Sequence, residues 1–298
     1  MPVTHQMFAD MHKESGRKTS FLELFRRGVT EHTGIQLPPE KTAMLEQRVR
    51  RMMIDVGVND LETFFKLLLT DEEASEDLRE VIDLVTTNTT SFYRERAHFE
   101  FIRNVAMPEL LEARRRGEGR RLKFWSAACS EGAEAYTLAI VADEMMRQAL
   151  TFDYAILGTD ISTRILARAQ RAIYTKDQLA SIPPALHQRY VMMGTDEESR
   201  SLGRMAPELR RRCVFREMNL MDETYPVDKD VDVILLRNCL IYFSTDDQNR
   251  VIDNLTRHLR IGGYFIVGHA ESMVVKNPVL QQVKPTIFKK IKESYVPG

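Results

Sequence analysis

The chain from residue 121 onward alternates between apolar, strand-like segments and amphipathic, helix-like segments. The strand-like segments are LKFWSAA (122–128), FDYAILGTD (152–160), VDVILLRN (231–238), GGYFIVGHA (262–270) and one near TIFKKI (286–291). Such alternation predicts an α/β fold, in which helices cover both faces of a parallel sheet. Because ligands of these sheets bind beyond the carboxyl ends of the strands, the residues that end the strand-like segments are the candidate site.

The first ninety residues follow a helical pattern. Gly34 and Gly57 each end a segment whose apolar residues recur at helical spacing, and glycine is the usual residue just past a helix end. The second of these segments has one apolar stripe, made of Leu45, Val49, Met52, Met53 and Val56. This part of the chain therefore predicts a small all-helical domain.

The two patterns and their junction predict the domain organisation. We expect a flexible N-terminus over 1–18, a helical domain over 19–90, a connecting linker and helix over 91–120, and an α/β domain over 121–298. The connecting helix is expected from Arg94 to about Arg116, with a bend or break at Pro108. Residues 183–217 are too polar and turn-rich for one strand–helix unit, and they predict a small inserted antiparallel β lobe.

Composition excludes several classes of protein. The net charge is −1, so no overall field favours nucleic acid or an anionic membrane. The three cysteines form no CxxC pair, which favours free thiols over a disulfide framework or a zinc site. No apolar run reaches the roughly 18 residues that a membrane span needs, and the N-terminus has no signal-peptide pattern. We therefore expect a cytoplasmic protein without a metal centre.

Two strand ends carry groups that suit a nucleoside. Small residues at the end of the first strand, around Gly132, allow a ligand to approach the backbone, although a tight turn without a ligand explains them equally well. Asp160 ends the second strand, where an acid can bind both hydroxyls of a ribose. The alternative is that Asp160 only caps the following helix. Neither G-x-G-x-x-G nor a P-loop is present, so a phosphate cradle is not expected.

Two asparagines complete this set. Asn219 follows the strand-like VFRE and Asn238 ends VDVILLRN, so both lie at the same sheet edge. Side-chain amides suit the donor and acceptor of adenine, while the alternative for each asparagine is an ordinary turn residue. Together, these strand ends indicate an adenosine ligand that lacks phosphates, for which S-adenosylmethionine is the best fit.

Seven spaced motifs make the chain resemble the CheR-type chemotaxis receptor methyltransferases. They are TTNTTSFYRERAHF (86–99), FWSAACSEGAEAYTLA (124–139), GTDIS (158–162), ARAQRAIY (167–174), MNLMD (218–222), RNCLIYF (237–243) and GGYFIVGHAES (262–272). The resemblance implies an S-adenosylmethionine-dependent methyltransferase domain of Rossmann-like fold. It also implies methylation of glutamates on chemoreceptors, the methyl-accepting chemotaxis proteins, to γ-glutamyl methyl esters during bacterial chemotaxis.

The resemblance also assigns site residues. It places two side chains, Arg94 and Tyr242, closest to the reaction. The implied cofactor contacts are Asn88, Thr90, Arg94, Glu134, Asp160, Asn219, Leu220, Asn238 and Cys239. For Arg94 the alternative is an ordinary ion pair, and for Tyr242 it is core packing with a satisfied hydroxyl. The family commonly has GEEP where this chain has GAEA, and the second acid aligns with Glu134.

The resemblance further implies where the receptor docks. Arg48 and Arg51 lie three residues apart on the second helix, with Lys41 near the same flank, and would meet a glutamate-rich receptor helix. The alternative is a solvated charged face. The lobe segment GTDEESRSLG has no close Gly-x-Gly, so docking of a receptor C-terminal peptide is not expected. TTNTTSFYR (86–94), which joins the two domains, is interpreted as one wall of the active site.

Two other functions are compatible with this fold. One is methylation of RNA or a small molecule, although no basic stripe with interleaved aromatics is present. The other is a scaffold that has lost the cofactor, which would predict altered residues at the strand ends. Asp160, Asn219, Asn238 and Tyr242 are all present.

Overall fold

The computed structural model describes residues 21–36, 47, 49–55, 57–60, 63–64, 90–114, 121–148 and 152–293. The chain forms two compact units, Met1–Thr87 and Asn88–Gly298. The domain bounds expected from the sequence stay a prediction.

In the first unit, helix α1 (Phe21–Thr33) ends where the sequence predicts. Gly34 has a left-handed φ of 72°, and its N–H donates to the carbonyl of Thr30 at 2.7 Å. This is the conformation that favours glycine after a helix. Residues 49–55 are helical, and Val49, Met52 and Met53 of the predicted stripe are buried. Leu45 and Val56 of that stripe lie outside the residues for which burial is described.

The connecting helix differs from its prediction at its start. Helix α2 (Ala97–Phe101) is followed by a π-helical turn (Ile102–Ala106) and helix α3 (Met107–Arg114). Pro108 has no N–H to donate, and the wider π turn just before it lets the helix continue without a break. The helix begins at Ala97 and not at Arg94, because Tyr93 and Glu95 have left-handed φ angles of 54° and 55°.

Ten strands lie in the described residues of the second unit. They are β1 (Arg121–Ala127), β2 (Asp153–Asp160), β3 (Ile173–Thr175), β4 (Val191–Met193), β5 (Leu202–Met205), β6 (Cys213–Glu217), β7 (Val231–Leu236), β8 (Leu259–Val267), β9 (Leu280–Lys284) and β10 (Ile287–Lys290). Seven of them form the main sheet, in the order β6-β2-β1-β7-β8-β10-β9. The pairs from β6 to β8 are parallel, whereas β10 is antiparallel to β8 and β9. The predicted α/β sheet is confirmed.

Helices cover both faces of this sheet. The helices of this unit after α3 are α4 (Ala133–Arg147), α5 (Thr163–Arg171), α6 (Lys176–Leu179), α7 (Pro184–Tyr190), α8 (Pro207–Arg210) and α9 (Thr245–His258). Alternate residues of β1 belong to different cores: Phe124 lies in the core that contains α4, and Trp125 lies in the one that contains α9. Each such buried side chain contributes about 1.5–3 kcal/mol of transfer free energy.

The inserted antiparallel lobe is present with different bounds. Strands β3, β5 and β4 pair antiparallel in that order, so the lobe's sheet begins at Ile173 rather than near residue 183. At the other end, Cys213–Glu217 is strand β6 of the main sheet and pairs with β2. The sequence pattern gave neither limit, because β3 is three residues long and β6 is an edge strand with mostly exposed side chains.

Candidate active site

The carboxyl ends of four neighbouring parallel strands meet at one edge of the sheet. In the register of these strands Ala127 pairs with both Thr159 and Leu236, and Asp160 pairs with Glu217. The chain leaves β1 toward β2 on one side, and β7 lies on its other side, so this edge is a topological switch point. The residues that follow β1, β2, β6 and β7 are therefore brought to one place, as the strand order requires.

The turn after β1 is strained. Ala128, Ser130 and Gly132 all have left-handed φ angles, of 55°, 52° and 86°. Such conformations cost on the order of 1–3 kcal/mol for residues other than glycine, and they concentrate at functional sites. Two hydrogen bonds hold the turn against β2: Cys129 N–H donates to the carbonyl of Thr159 at 2.9 Å, and Ser130 N–H donates to Asp160 Oδ2 at 2.8 Å.

Asp160 is buried and does not cap helix α5. Its Oδ1 accepts from Ser162 N–H at 3.1 Å, while the cap of α5 is Ser162, whose hydroxyl accepts from Ile165 N–H at 3.1 Å. The capping role that was the alternative for Asp160 therefore belongs to Ser162. Asp160 instead places a carboxylate at the end of β2, beside the turn after β1. Its contact with a ribose stays a prediction.

Asn219 and Leu220 follow β6. Asn219 Oδ1 accepts from Met221 N–H at 2.9 Å, so its side chain does have the local turn role that was the alternative for it. Leu220 is buried, and its carbonyl accepts from the Tyr225 hydroxyl at 2.7 Å. Their contacts with adenosine stay predictions.

The turn after β7 is organised by Glu271. Asn238 has a left-handed φ of 60°, and the buried carboxylate of Glu271 accepts four backbone N–H groups at 2.7–2.8 Å, from Asn238, Cys239, Leu240 and Gly268. Burial raises the pKa of Glu271, although these four donors oppose that rise. The sequence interpretation included Glu271 in a motif but gave it no role. An acid four residues after the end of an apolar strand is the signal that could have identified it.

Glu134 lies in the first turn of helix α4, which follows the turn after β1. Its Oε1 accepts from the Ser126 hydroxyl at 2.6 Å, and its Oε2 accepts from Arg237 NH1 at 2.8 Å. Both Glu134 and Arg237 are buried. Sequence reasoning missed Arg237, although a cation that directly ends the apolar run VDVILL is itself a signal.

The remaining predicted residues differ in exposure. Arg94 is exposed, and Thr90, Cys239 and Tyr242 are half-buried. Tyr242 packs against the core that contains α9, and its role near the reaction stays a prediction. Burial raises the pKa of the Cys239 thiol, which favours its neutral form. Arg51 is exposed, whereas Asn88, Arg48 and Lys41 lie outside the described residues.

The described residues contain neither a metal-binding cluster nor a membrane-spanning helix. No group of three or more His, Cys, Asp or Glu side chains there is arranged to hold a metal ion. No helix within the described ranges combines the length and apolar character that crossing a membrane requires.

The chain is similar to known methyltransferases over most of its length. A family model described as "CheR methyltransferase, all-alpha domain" matches residues 21–86, and one described as "CheR methyltransferase, SAM binding domain" matches residues 88–289. A chemotaxis protein methyltransferase of Borreliella burgdorferi is 31% identical over 88% of this chain and 91% of its own length. Chemotaxis protein methyltransferase 1 of Pseudomonas aeruginosa is 32% identical over 84% of this chain and 89% of its own. The Escherichia coli chemotaxis protein methyltransferase is 31% identical over 82% and 81%.

The second of these family models covers the unit that carries the candidate site. The strand ends of that unit supply acids and amides but no phosphate cradle, which fits the cofactor that the family model names. The resemblance inferred from the seven motifs is thus confirmed. This chain belongs to the CheR methyltransferase family and is an S-adenosylmethionine-dependent methyltransferase.

Proposed function

We propose that this enzyme transfers methyl groups to glutamate side chains of chemoreceptors, forming γ-glutamyl methyl esters for adaptation in bacterial chemotaxis. The observation that carries the proposal is the sheet edge where Asp160, Glu134 and the Asn238–Tyr242 turn meet beyond the strands. The relatives, which are chemotaxis protein methyltransferases, supply the substrate class. The proposed setting is the cytoplasm, and the product of the cofactor is S-adenosylhomocysteine.

The chemistry of the strand ends suits the cofactor. When bound, S-adenosylmethionine supplies an electrophilic methyl group on a positively charged sulfur. Asp160 would accept hydrogen bonds from the ribose hydroxyls, and Glu134 would lie near the amino acid end. The other proposed contacts are Asn88, Thr90, Arg94, Asn219, Leu220, Asn238 and Cys239. No contact of this set needs a metal ion.

The residues near the reaction are proposed to align the substrate. A glutamate carboxylate has an ordinary pKa of about 4.3 and is already ionised at neutral pH, so no general base is needed. Alignment of the attacking oxygen with the methyl group then dominates, and positioning contributes at most roughly 7–11 kcal/mol. Arg94 would orient a carboxylate of the substrate, the cofactor or both. The half-buried Tyr242 would bound the pocket and offer its hydroxyl.

The receptor partner is proposed to be its cytoplasmic helical region. Methylated regions rich in glutamate are anionic, so Arg48 and the exposed Arg51 of the helical unit would attract them. Direct membrane insertion, nucleic-acid binding and docking of a receptor tail peptide are not part of the proposal.

A single labelling experiment tests this function. The enzyme is incubated with S-adenosylmethionine that carries a radiolabelled methyl group and with a receptor cytoplasmic fragment, and the product is treated with alkali. We expect label in the fragment and its release as methanol, because esters are base-labile. An alkali-stable product would instead indicate amine or RNA methylation, and no transfer would indicate a scaffold.

Two variants test whether the labelling depends on the residues at the carboxyl ends of the strands. Asp160→Asn should lower incorporation, since it removes one carboxylate oxygen at the end of β2. Asp177→Asn is the matched control, because Asp177 is an exposed acid of the small lobe. Equal incorporation by the two variants would contradict the proposed site.

A further inference from the structure

Arg237 joins three separate segments of the second unit. Its side chain is 3% exposed, and its NH1 donates to Glu134 Oε2 at 2.8 Å. Its NH2 donates to the backbone carbonyl of Arg94 and lies 3.3 Å from Glu95 Oε2. The guanidinium carbon lies 5.5 Å from the ring centre of Phe99. One side chain therefore contacts the acid proposed for the cofactor and the turn that carries Arg94.

The turn that Arg237 contacts is strained. Tyr93 and Glu95, on either side of Arg94, both have left-handed φ angles. Bulky residues rarely adopt this conformation, and it persists only where surrounding contacts enforce it. Two such contacts are present: Tyr93 N–H donates to Thr137 Oγ1 at 3.2 Å, and the Arg94 carbonyl accepts from Arg237. The guanidinium of Arg237 is thus one of the contacts that hold the backbone of this turn.

The polar cluster around Arg237 is not arranged for maximum stability. His98 Nε2 lies 2.6 Å from Thr286 Oγ1, and His98 Nδ1 lies 3.3 Å from Glu95 Oε2. Within the described chain, Glu95 Oε2, His98 Nδ1 and Arg237 Nε are buried without a hydrogen bond of good geometry. Buried atoms of this kind lower stability. A requirement for a fixed geometry of the groups next to the candidate active site would account for this arrangement.

We propose that Arg237 is a positioning residue for methyl transfer. Its planar guanidinium holds the Arg94 turn and the Glu134 carboxylate in one fixed relation. The side chain proposed to orient the reacting carboxylate is thereby placed against the acid proposed for the amino acid end of the cofactor. This inference rests on the proposed function and adds to it a residue that touches neither substrate nor cofactor.

Arg237→Lys is the sharpest variant. Lysine keeps the charge, but an ammonium is a compact point donor and cannot reproduce the two-sided fork of arginine. The variant should displace the Arg94 turn, and a shift of about 1 Å can lower the rate about 100-fold. We expect kcat for the receptor fragment at saturating cofactor to fall by about that factor, with a smaller rise in KM for the receptor.

A double-mutant cycle tests whether Arg237 acts through Arg94. If it does, Arg237→Lys lowers kcat in the wild-type background and causes little further loss in the Arg94→Ala background. Multiplicative losses, or an unchanged kcat in Arg237→Lys, would overturn the proposal. Glu95→Gln, which weakens the ion pair and keeps the shape, should show a smaller loss with the same dependence on Arg94. It serves as the second variant if Arg237→Lys folds poorly.

Arg114→Lys is the matched control. Arg114 also has a mostly buried side chain, 8% exposed, and pairs with the buried acid Asp232 at 2.7 Å, but at the opposite edge of the sheet. This control should lose stability, leave kcat of the folded protein unchanged and combine multiplicatively with Arg94→Ala. If Arg114→Lys lowers kcat of the folded protein as much as Arg237→Lys does, the loss is not specific to Arg237 and the proposal fails.

Cofactor affinity provides a readout that does not depend on the receptor. Calorimetry should show that Arg237→Lys weakens S-adenosylmethionine binding about tenfold, and that it adds little to the effect of Glu134→Gln. Additive losses would overturn the Glu134 part of the proposal. If the wild-type enzyme bound cofactor but methylated no receptor fragment, the proposed function would fail, and this cycle would still decide whether Arg237 positions Glu134.

Discussion

Two buried arginine–acid clusters lie at opposite ends of strand β7, and they are built differently. Near the start of β7, Asp232 is fully buried and accepts from Arg114 at 2.7 and 3.0 Å, Arg260 at 3.3 Å and Lys123 N–H at 2.7 Å. Just beyond the end of β7, Arg237 joins Glu134, Glu95 and the Arg94 carbonyl. Within the described chain, the buried side-chain atoms without a hydrogen bond of good geometry belong to Glu95 and Arg237 of the second cluster and to His98, which contacts Glu95.

The backbone shows the same contrast. Among the described non-glycine residues with left-handed φ, Tyr93, Glu95, Ala128, Ser130 and Asn238 belong to the segments around the candidate active site. At the other end of the sheet, Asp230 has such a conformation. Left-handed backbone conformations and incomplete hydrogen bonding both lower the free energy of unfolding. The edge that carries the candidate active site is therefore less stabilised than the opposite edge. Contacts at the amino ends of the strands therefore stabilise the fold, whereas residues beyond the carboxyl ends form the candidate active site.

Asp232→Ala tests the stabilising edge and should have the largest effect. Removing the acid leaves two cations and one backbone N–H without their shared acceptor, and breaking a buried pair in this way costs about 3–5 kcal/mol. Chemical denaturation should show this loss, while the folded fraction keeps its affinity for S-adenosylmethionine. A comparable loss of cofactor affinity in the folded fraction would remove the distinction between the two edges.

His98→Gln tests the polar cluster around Arg237 through the pH dependence of stability. Burial, assisted by Arg237 and His269, lowers the pKa of His98 to about 4, although Glu95 opposes the shift. The unfolded state, with an ordinary histidine pKa near 6.5, binds a proton in this range and the native state does not. Stability should therefore fall by on the order of 3 kcal/mol as the pH drops from 6.5 to 4.

Denaturation of both proteins at several pH values measures this effect. Glutamine keeps an acceptor for Thr286 but does not titrate, so the variant should lose less stability over this interval. Glu95 also faces His98. Burial acts to raise the pKa of Glu95, but Arg237 and His98 lower it overall. The stability that depends on ionised Glu95 is therefore lost at a lower pH than the stability that depends on neutral His98. Parallel pH profiles for wild type and variant would show that His98 does not contribute.

Glu271→Gln tests the functional edge directly. A glutamine must present an amide N–H₂ to at least one of the N–H donors that the carboxylate now accepts, which costs about 1–3 kcal/mol. Because two of those donors belong to Asn238 and Cys239, calorimetry should detect roughly tenfold weaker binding of S-adenosylmethionine, since 1.4 kcal/mol is a factor of ten.

Glu109→Gln is the control for this variant. Glu109 accepts from the Tyr264 hydroxyl at 2.6 Å and from Lys289 at 2.7 Å, away from the turn after β7. Its cofactor affinity should match that of the wild type. Equal affinities for the two variants would mean that Glu271 does not shape the cofactor site.

Charge reversal at Arg48 and Arg51 should have the smallest effect and adds a third region to the comparison. An exposed charge changes the free energy of association by about 1 kcal/mol or less, which is well below the effect of breaking a buried ion pair. Receptor methylation should slow several-fold at low salt, with cofactor binding unchanged. Reversal at Arg26 and Arg27, exposed residues of α1, is the control. If both pairs slow methylation equally, the effect reflects net charge and not docking.

The sequence located the ends of the parallel strands well, because each strand is a local apolar run. Asp160 ends an apolar run, and a carboxyl end of a parallel strand is a defined place in an α/β sheet. The small inserted lobe was harder to delimit, since β3 and β6 are short or exposed and give little apolar periodicity. The start of the connecting helix was placed too early because left-handed residues in SFYRER leave no sequence signal as strong as a glycine.

What the sequence determined by itself is the fold class, the family and the set of strand-end groups, since all of these depend on periodicity and spaced motifs. What only the tertiary structure decided is how those groups are held. Arg237 contacts residues from two distant segments, and Glu271 accepts four N–H groups from two turns. Such contacts join positions far apart in the chain, and only the packed sheet brings their atoms within hydrogen-bond distance.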